Sequence, residues 1–431
     1  MNQRLLCTLA WRNVWRHPRR TFLTVLALAL GLTFLLFSLG LNDGGHAQMI
    51  ANGIKLGGGH VLVQAQDYQR TRSQDLLLSL PTLVRTEELL ETHTGSYPLA
   101  GISPRLLASG LLSSAASAAG VGIVGVRPTS ERSVSLIPQR MIEGAYFTDG
   151  NSSSLVIGSE LARKLKVRLG SKVVLMAQSI QPAQESALST DNTDGEIRSS
   201  LFRVSGIFQT GLRAVDAYVI HMSLADTQSF LGATDSLTQI AIFLQQENSA
   251  PPVASLLREQ LSPASVEVLT WRESLAELAQ FVWLDDAFGY VMNGMLLGMV
   301  ALGLLNTMLM AVLERRYEFG VCTALGLRPV HMLSMVVYES LVLIIFSLLL
   351  GLLLGLGVHT YFATYGLDIR LFTETDFPVA GTVFDPIMYS HLSIGRIVWA
   401  TGTLSLLAAV MALYPAWKAA RTELPDALRI M

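Results

Sequence analysis

The sequence predicts an α-helical membrane protein with four transmembrane helices and a large α/β extracytoplasmic domain between the first and second. Three observations predict it. Hydrophobic residues make up 51% of the chain and charged ones 15%, with a mean hydropathy of +0.43, whereas an average soluble domain is about one quarter charged. Four runs reach the roughly 20 apolar residues that a helix needs to cross a hydrocarbon core of about 30 Å. Between the first two, the hydrophobic period changes, alternating in some segments as strands do and recurring at helical spacing in others.

Residues 1–20 come first. Arg4, Arg12 and Arg16 fall on one helical face, with Trp11 and Trp15 among the apolar residues of the remainder, and Pro18 breaks the run. A basic helix carrying tryptophans is expected to lie in the membrane interface, its arginines toward anionic headgroups. The same arginines also fix topology, since basic residues resist translocation.

The first span, 21–43, is uncharged from Thr21 to Asn42 and longer than a signal peptide's apolar core, so it is expected to remain as an anchor. The other spans are 286–313, 332–358 and 394–417. Arg315, Arg316 and Arg328 follow the second, and Lys418, Arg421 and Arg429 follow the fourth. The loop 359–393 carries Arg370 against Asp368, Glu374, Asp376 and Asp385. Both termini, the loop 314–331 and the tail 418–431 are therefore expected in the cytoplasm, and residues 44–285 and 359–393 outside.

Within 44–285, HVLVQAQ alternates as a half-buried strand does, and LFRVSGIF and TQIAIFLQ read likewise. SELARKLKV and VASLLREQL repeat apolar residues at helical spacing. The last helix, SLAELAQFVWL, approaches the second span. The sequence leaves open a stiff continuation or a flexible joint at Asp285-Asp286. A polar stretch containing Gln181, Pro182, Asp191, Asp194 and Gly195 has the composition of a long hairpin tip, either a mobile decoration or a docking arm. The two cysteines, Cys7 and Cys322, both fall on the expected cytoplasmic side, so the exported block relies on core packing.

Catalytic signals are missing. No Gly-Lys pair exists for a phosphate-cradling P-loop, the eight histidines form no H-x-x-x-H, and no G-x-S-x-G elbow occurs. No catalytic residue, metal site or bound cofactor is expected. The spans carry few polar groups, chiefly Asn306 and Glu339. Glu339 needs a reason, either an aqueous or helix-lined site, or a place near the cytoplasmic third within reach of headgroups.

The segment ERRYEFGVCTALGLRPVH between spans two and three reads as a short helix over Tyr317–Leu325, ended by Gly326 before Pro329 opens the next span. Phe319, Cys322, Ala324 and Leu325 are expected to offer an apolar face flanked by Arg315, Arg316 and Glu318. A helix this short is marginal alone and makes sense docked in a groove of a partner.

The pattern R-x-x-E-x-G-x-x-x-A-L-G, formed by Arg315, Glu318, Gly320, Ala324, Leu325 and Gly326, resembles the coupling helix of the MacB/FtsX-like permeases of ABC transporters. The resemblance runs nearly end to end, through WRNVWRHPRR, GGGHVLVQAQDY, IGSELARKLKVRLGSKVVL, FRVSGIFQTGLRAVDAY and YPAWKAARTELPDALR. It implies a porter-like lobe over about 44–130 and 233–285, with an inserted lobe over about 131–232. It also implies a non-catalytic permease subunit of the bacterial inner membrane. The implied partners are two cytoplasmic ABC ATPase subunits, which use ATP and Mg, and a second permease chain, identical or homologous. Arg315 to Gly326 would be the ATPase contact.

The layout is most similar to the lipoprotein-releasing (Lol) permeases, which implies membrane lipids and an acylated lipoprotein as partners, and a periplasmic chaperone at the 180–200 hairpin. No nucleic acid is expected. By that resemblance, ATP-driven pairing of two permeases would move the outer lobes through the 271–313 helix and release acyl chains from a cleft between spans one and two. The alternatives are an FtsX-like relay that activates an envelope enzyme and a MacB-like exporter subunit.

Overall fold

In the computed structural model, the described residues are 11–12, 14–16, 18–93, 95, 97–148, 153–180, 196–261, 265–369 and 387–420, with the backbone alone of Cys322. They form a helical unit, built on residues up to Ala47 and from Trp283 onward, and an α/β unit built on Gln48–Val282.

Eight helices are used below: α1 (Pro18–Gly53), α2 (Leu80–Thr92), α3 (Ser159–Leu165), α4 (Ala250–Gln260), α5 (Ala276–Glu314), α6 (Arg316–Ala324), α7 (Pro329–Tyr365) and α8 (Ile394–Ala420). Four of them, α1, α5, α7 and α8, are long and apolar enough to cross a membrane. Pro18 opens α1 and Pro329 opens α7, where a proline's missing N–H costs nothing.

Leu28, Leu32, Leu35 and Leu36 of α1 pack with Leu304 and Met308 of α5, Ile344 of α7 and the ridge Ala400, Leu404, Ala408 and Ala412 of α8. Small residues let the backbones approach. At Gly351 of α7 an added Cβ would stand 2.9 Å from the Ala29 carbonyl oxygen and the Leu32 Cβ, so a side chain there would push α1 and α7 apart.

The α/β unit carries ten principal strands: β1 (Val61–Ala65), β2 (Leu99–Ser113), β3 (Ala118–Val126), β4 (Met141–Gly144), β5 (Ser154–Gly158), β6 (Lys172–Gln178), β7 (Ile197–Phe208), β8 (Val219–Ser223), β9 (Gln239–Leu244) and β10 (Val266–Thr270). Their order is β10-β1-β9-β2-β3-β8-β5-β7-β4, and β6 pairs with both β2 and β7. The strands β2, β3, β8, β5, β7 and β6 therefore close on themselves, which removes free edges. Their shared core includes Leu106, Val121, Ile220, Leu155, Val204 and Val173, with Leu161 of α3.

A second core packs Val61, Val63, Ile240, Ile242 and Val268 against Leu83 of α2 and Val253 and Leu257 of α4. Strand β2 joins the two. Its Leu99–Arg105 portion pairs with β9, and Arg105–Ser113 pairs with β3. Leu106 to Ile123, expected in the first lobe, thus packs in the core with 155–222, because one long strand serves both.

One local expectation is corrected and one open alternative is decided. HVLVQAQ reads as half-buried, yet every residue of β1 is buried, because β1 lies between β9 and β10 and the sheet is covered. The interruption before the second span falls at Leu275 (φ −108°, ψ 53°), after a capping box between Thr270 and Glu273, and α5 runs unbroken through Asp285-Asp286.

Candidate functional site: the charged end of the helical unit

The turn between α5 and α6 brings three of the expected coupling residues, Arg315, Glu318 and Phe319, together. Arg315 precedes α6 and is buried. Its Nε donates to Glu318 at 3.0 Å and its Nη1 to Glu339 of α7 at 2.9 Å, while its guanidinium lies 5.3 Å from the centre of the Phe319 ring. Arg16 donates to the other oxygen of Glu318 at 2.6 Å. Alongside, Arg20 of α1 meets Glu314 at the end of α5 at 2.9 Å.

One chain of charges therefore runs Glu339–Arg315–Glu318–Arg16, from a buried acid in a spanning helix to a surface arginine. Burial alone would raise the Glu318 carboxyl, but the hydrogen bond and charge of Arg315, with those of Arg16, hold it below the ordinary carboxylate range.

This answers the question posed by Glu339. Its partner is Arg315, from the turn between the spans, and a carboxylate with such a counter-ion and donor is tolerated where a lone one is not. A cavity of about 30 Å³ adjoins the pair, lined also by Thr24, Met308, Phe319 and Ser340.

Helix α6 turns only part of the expected face outward, Ala324 and Leu325, and not Phe319. Phe319 is almost fully buried, packing with Val312, Met332, Val336, Ala416 and Ala419. Gly320 is buried too and Arg316 half-buried. The exposed apolar surface consists of Tyr317, Val321, Ala324 and Leu325, with Leu325 83% exposed. The spacing 317, 321, 325 marks one helical stripe. Phe319 falls on the opposite side because α7 and α8 offer it an apolar pocket. Gly326 has φ +85° and open space around its Cβ position, so glycine is needed there for conformation and not for room.

Trp11, Arg12 and Trp15 are exposed, and Trp11 approaches Phe346 of α7 with ring centres 5.8 Å apart. Arg16, expected to meet headgroups, instead pairs with Glu318. Asn306 lies apart from the charge chain, on an exposed part of α5. Arg4 and the hairpin residues Gln181, Pro182, Asp191, Asp194 and Gly195 lie outside the described residues.

Sequence reasoning missed the pair Arg20–Glu314. The signal was present, because the basic start of the first span and the acidic end of the second were already expected at the same membrane border. It also missed a polar knot at the other end of the spans, where Arg396 grips Asp43 with two hydrogen bonds of 3.1 and 3.0 Å and His46 lies 2.8 Å from Asp285.

A family model described as MacB-like periplasmic core domain matches residues 21–260, and one described as FtsX-like permease C-terminal matches 290–424. The chain belongs to this family. It is an ABC transporter permease of the LolC/E/MacB/FtsX type and a multi-pass inner-membrane protein.

Among its relatives, the lipoprotein-releasing system transmembrane protein LolC of Xylella fastidiosa (strain Temecula1 / ATCC 700964) is 24% identical over 71% of this chain and 72% of that protein. The LolE protein of Haemophilus influenzae is 22% identical over 80% of each. The macrolide export ATP-binding/permease protein MacB 2 of Aeromonas hydrophila is 24% identical over 96% of this chain and 58% of its own length. The crystal structure of the periplasmic region of MacB from Actinobacillus actinomycetemcomitans aligns with 50% of this chain and 91% of that one, at 12% identity and a TM-score of 0.34. Permeases of this type work with cytoplasmic ATPases, which makes the 315–326 segment of this permease its candidate site.

Proposed function

We propose that this permease is the transmembrane subunit of a lipoprotein-releasing ABC transporter and is driven by separate ATPase subunits docked on α6. One observation carries the reading: the Tyr317, Val321 and Leu325 stripe is exposed on a short helix whose other side is tied through Arg315 to Glu339 of a spanning helix. Force applied to the stripe is then resisted by a buried ion pair, so it reaches α7 instead of bending a loose loop.

The termini and α6 face the cytoplasm. Two ATPase subunits supply ATP and Mg chemistry, and the permease itself binds neither and catalyses nothing. A second permease chain, identical or homologous, completes the assembly. The cores around β1/β9 and within the closed strands correspond to a porter-like lobe and an inserted lobe. Helix α5, from Ala276 to Glu314, transmits closure outward. An acylated lipoprotein leaves the membrane for a periplasmic chaperone. Withdrawing acyl chains costs about 0.8 kcal/mol per methylene, which calls for an external energy source. The LolC and LolE relatives support this substrate class.

The test is to purify the permease with the ABC ATPase that copurifies with it and to change Leu325→Asp, Glu318→Lys and Gly326→Val. Loss of the complex or of permease-stimulated ATP hydrolysis is expected. Unaltered assembly and turnover in all three would remove the coupling role. A relay that activates an envelope enzyme shares this site and differs in cargo. Crosslinking of acylated protein within the spans supports release, and its consistent absence favours the relay.

A further inference from the structure

A second cleft lies beside the charge chain within the helical unit. It has a volume of about 750 Å³, and its lining includes Arg16, Arg19, Arg20, Glu314, Met310 and Asn306. Two of its arginines are already matched, Arg16 by Glu318 and Arg20 by Glu314. Arg19 is exposed and makes no hydrogen bond or ion pair with any described residue. Among the described residues, the cleft thus presents one uncompensated positive charge at the start of α1.

Asn306 supplies an independent observation. It lies eight residues before Glu314, about 12 Å deeper along α5 at 1.5 Å per residue. Its side chain is exposed, on a helix long and apolar enough to span the bilayer, and finds no partner among the described residues. An amide facing hydrocarbon without a hydrogen bond is costly, so Asn306 calls for a polar group from outside the described residues.

We infer that this cleft binds one anionic phospholipid, its phosphodiester against Arg19 and its glycerol ester region against Asn306. The single unmatched charge suits a phosphodiester monoanion. A polar upper wall and the deeper Met310 suit a molecule that is charged at one end and apolar at the other. A free phosphate would satisfy Arg19 and leave Asn306 bare. Basic pockets between spanning helices on the cytoplasmic side are established places for acidic headgroups. The leaflet's name rests on the proposed orientation; the binding itself does not.

The test uses the full chain in a neutral detergent, titrated with phosphatidylglycerol or phosphatidylcholine and followed by native mass spectrometry for retained lipid. One phosphatidylglycerol is expected to stay bound in preference to phosphatidylcholine. Arg19→Gln should weaken it about fivefold, the equivalent of roughly 1 kcal/mol for one arginine near a headgroup. Asn306→Leu should weaken retention of both lipids. Arg168→Gln, exposed in the α/β unit, should leave retention unchanged.

Equal retention of the two lipids overturns the inference, as does an Arg19→Gln variant that binds as before. Complete displacement by millimolar inorganic phosphate would make the site a free-anion site and overturn it too. If Asn306→Leu leaves lipid retention intact and instead dissociates a dimer of the permease, the amide's partner is a second copy and the lipid assignment falls. Retention is read without the ATPase, so its failure is separable from failure of the coupling role.

Discussion

Among its described residues, the permease contains two buried arginine–glutamate pairs that differ in what surrounds them. In the α/β unit, Arg105 of β2 and Glu131 meet at 2.8 Å, both almost completely buried. Ser103 donates to Glu131, and the Gly57 carbonyl oxygen accepts from Arg105 at 2.7 Å. Next to them, the Tyr146 hydroxyl lies 2.8 Å from His221 Nδ1. That network is closed. In the helical unit, Arg315 and Glu339 are buried at one end of a chain whose other end, Arg16, is open to solvent. A closed network rigidifies whatever it joins. A chain graded from interior to surface can pass a surface event inward, so the first pair belongs to the fold and the second to the coupling role proposed above.

The largest expected effect breaks the closed network. Glu131→Gln should destabilise the α/β unit by about 3–5 kcal/mol by leaving Arg105 without its counter-ion. Arg105→Met combined with Glu131→Leu should recover a large part of that. Amide exchange in β2 of the full chain measures both, and equal losses in the single and double variants would show that the pair is not a unit.

The next sharpens it by pH. Burial pushes His221 down to about 4, against an unfolded value near 6.5. Between these values the unfolded chain binds a proton that the folded one refuses, so stability falls as pH drops from about 6.5 to about 4. The loss should amount to roughly 3 kcal/mol and level off below. Glu131 acts in the same direction: burial would raise its carboxyl, but Arg105 and the charge and hydrogen bonds around it hold it below the ordinary value. His221→Gln should flatten the upper part of the profile.

In the helical unit, Glu339→Gln should leave assembly with the ATPase intact and weaken the coupling between nucleotide hydrolysis and the outer domain by roughly 0.5–2 kcal/mol. Permease-dependent stimulation of ATP hydrolysis, compared with complex formation, reads the difference. The smallest effect belongs to the exposed end. Arg16→Ala should change stability by no more than about 1 kcal/mol, and less at high salt. A loss as large as that of Glu131→Gln would erase the contrast between the two regions.

Much of the helical unit was legible because hydrocarbon imposes a length and an apolarity that a linear run displays directly. The α6 helix and its glycine stop were legible for a similar reason, since a left-handed residue and a proline start are local features. The outward face of α6 was not. Phe319 and Leu325 are both apolar, and only the pocket formed by Met332, Val336 and Ala416 decides that Phe319 turns in and Leu325 out. Likewise, β1 read as alternating because its glutamine at position 64 is polar, although neighbouring strands bury it completely.

By itself, then, the sequence determined which segments meet lipid, which form an α/β domain, and where the short connecting helix starts and stops. These follow from length, period and backbone preference, which are properties of neighbours along the chain. Tertiary structure alone decided that Glu339 answers Arg315, that Arg16 answers Glu318, and that six strands close around one core. Those pairings join residues far apart in sequence, and no local preference encodes which distant charge or strand edge will arrive beside another.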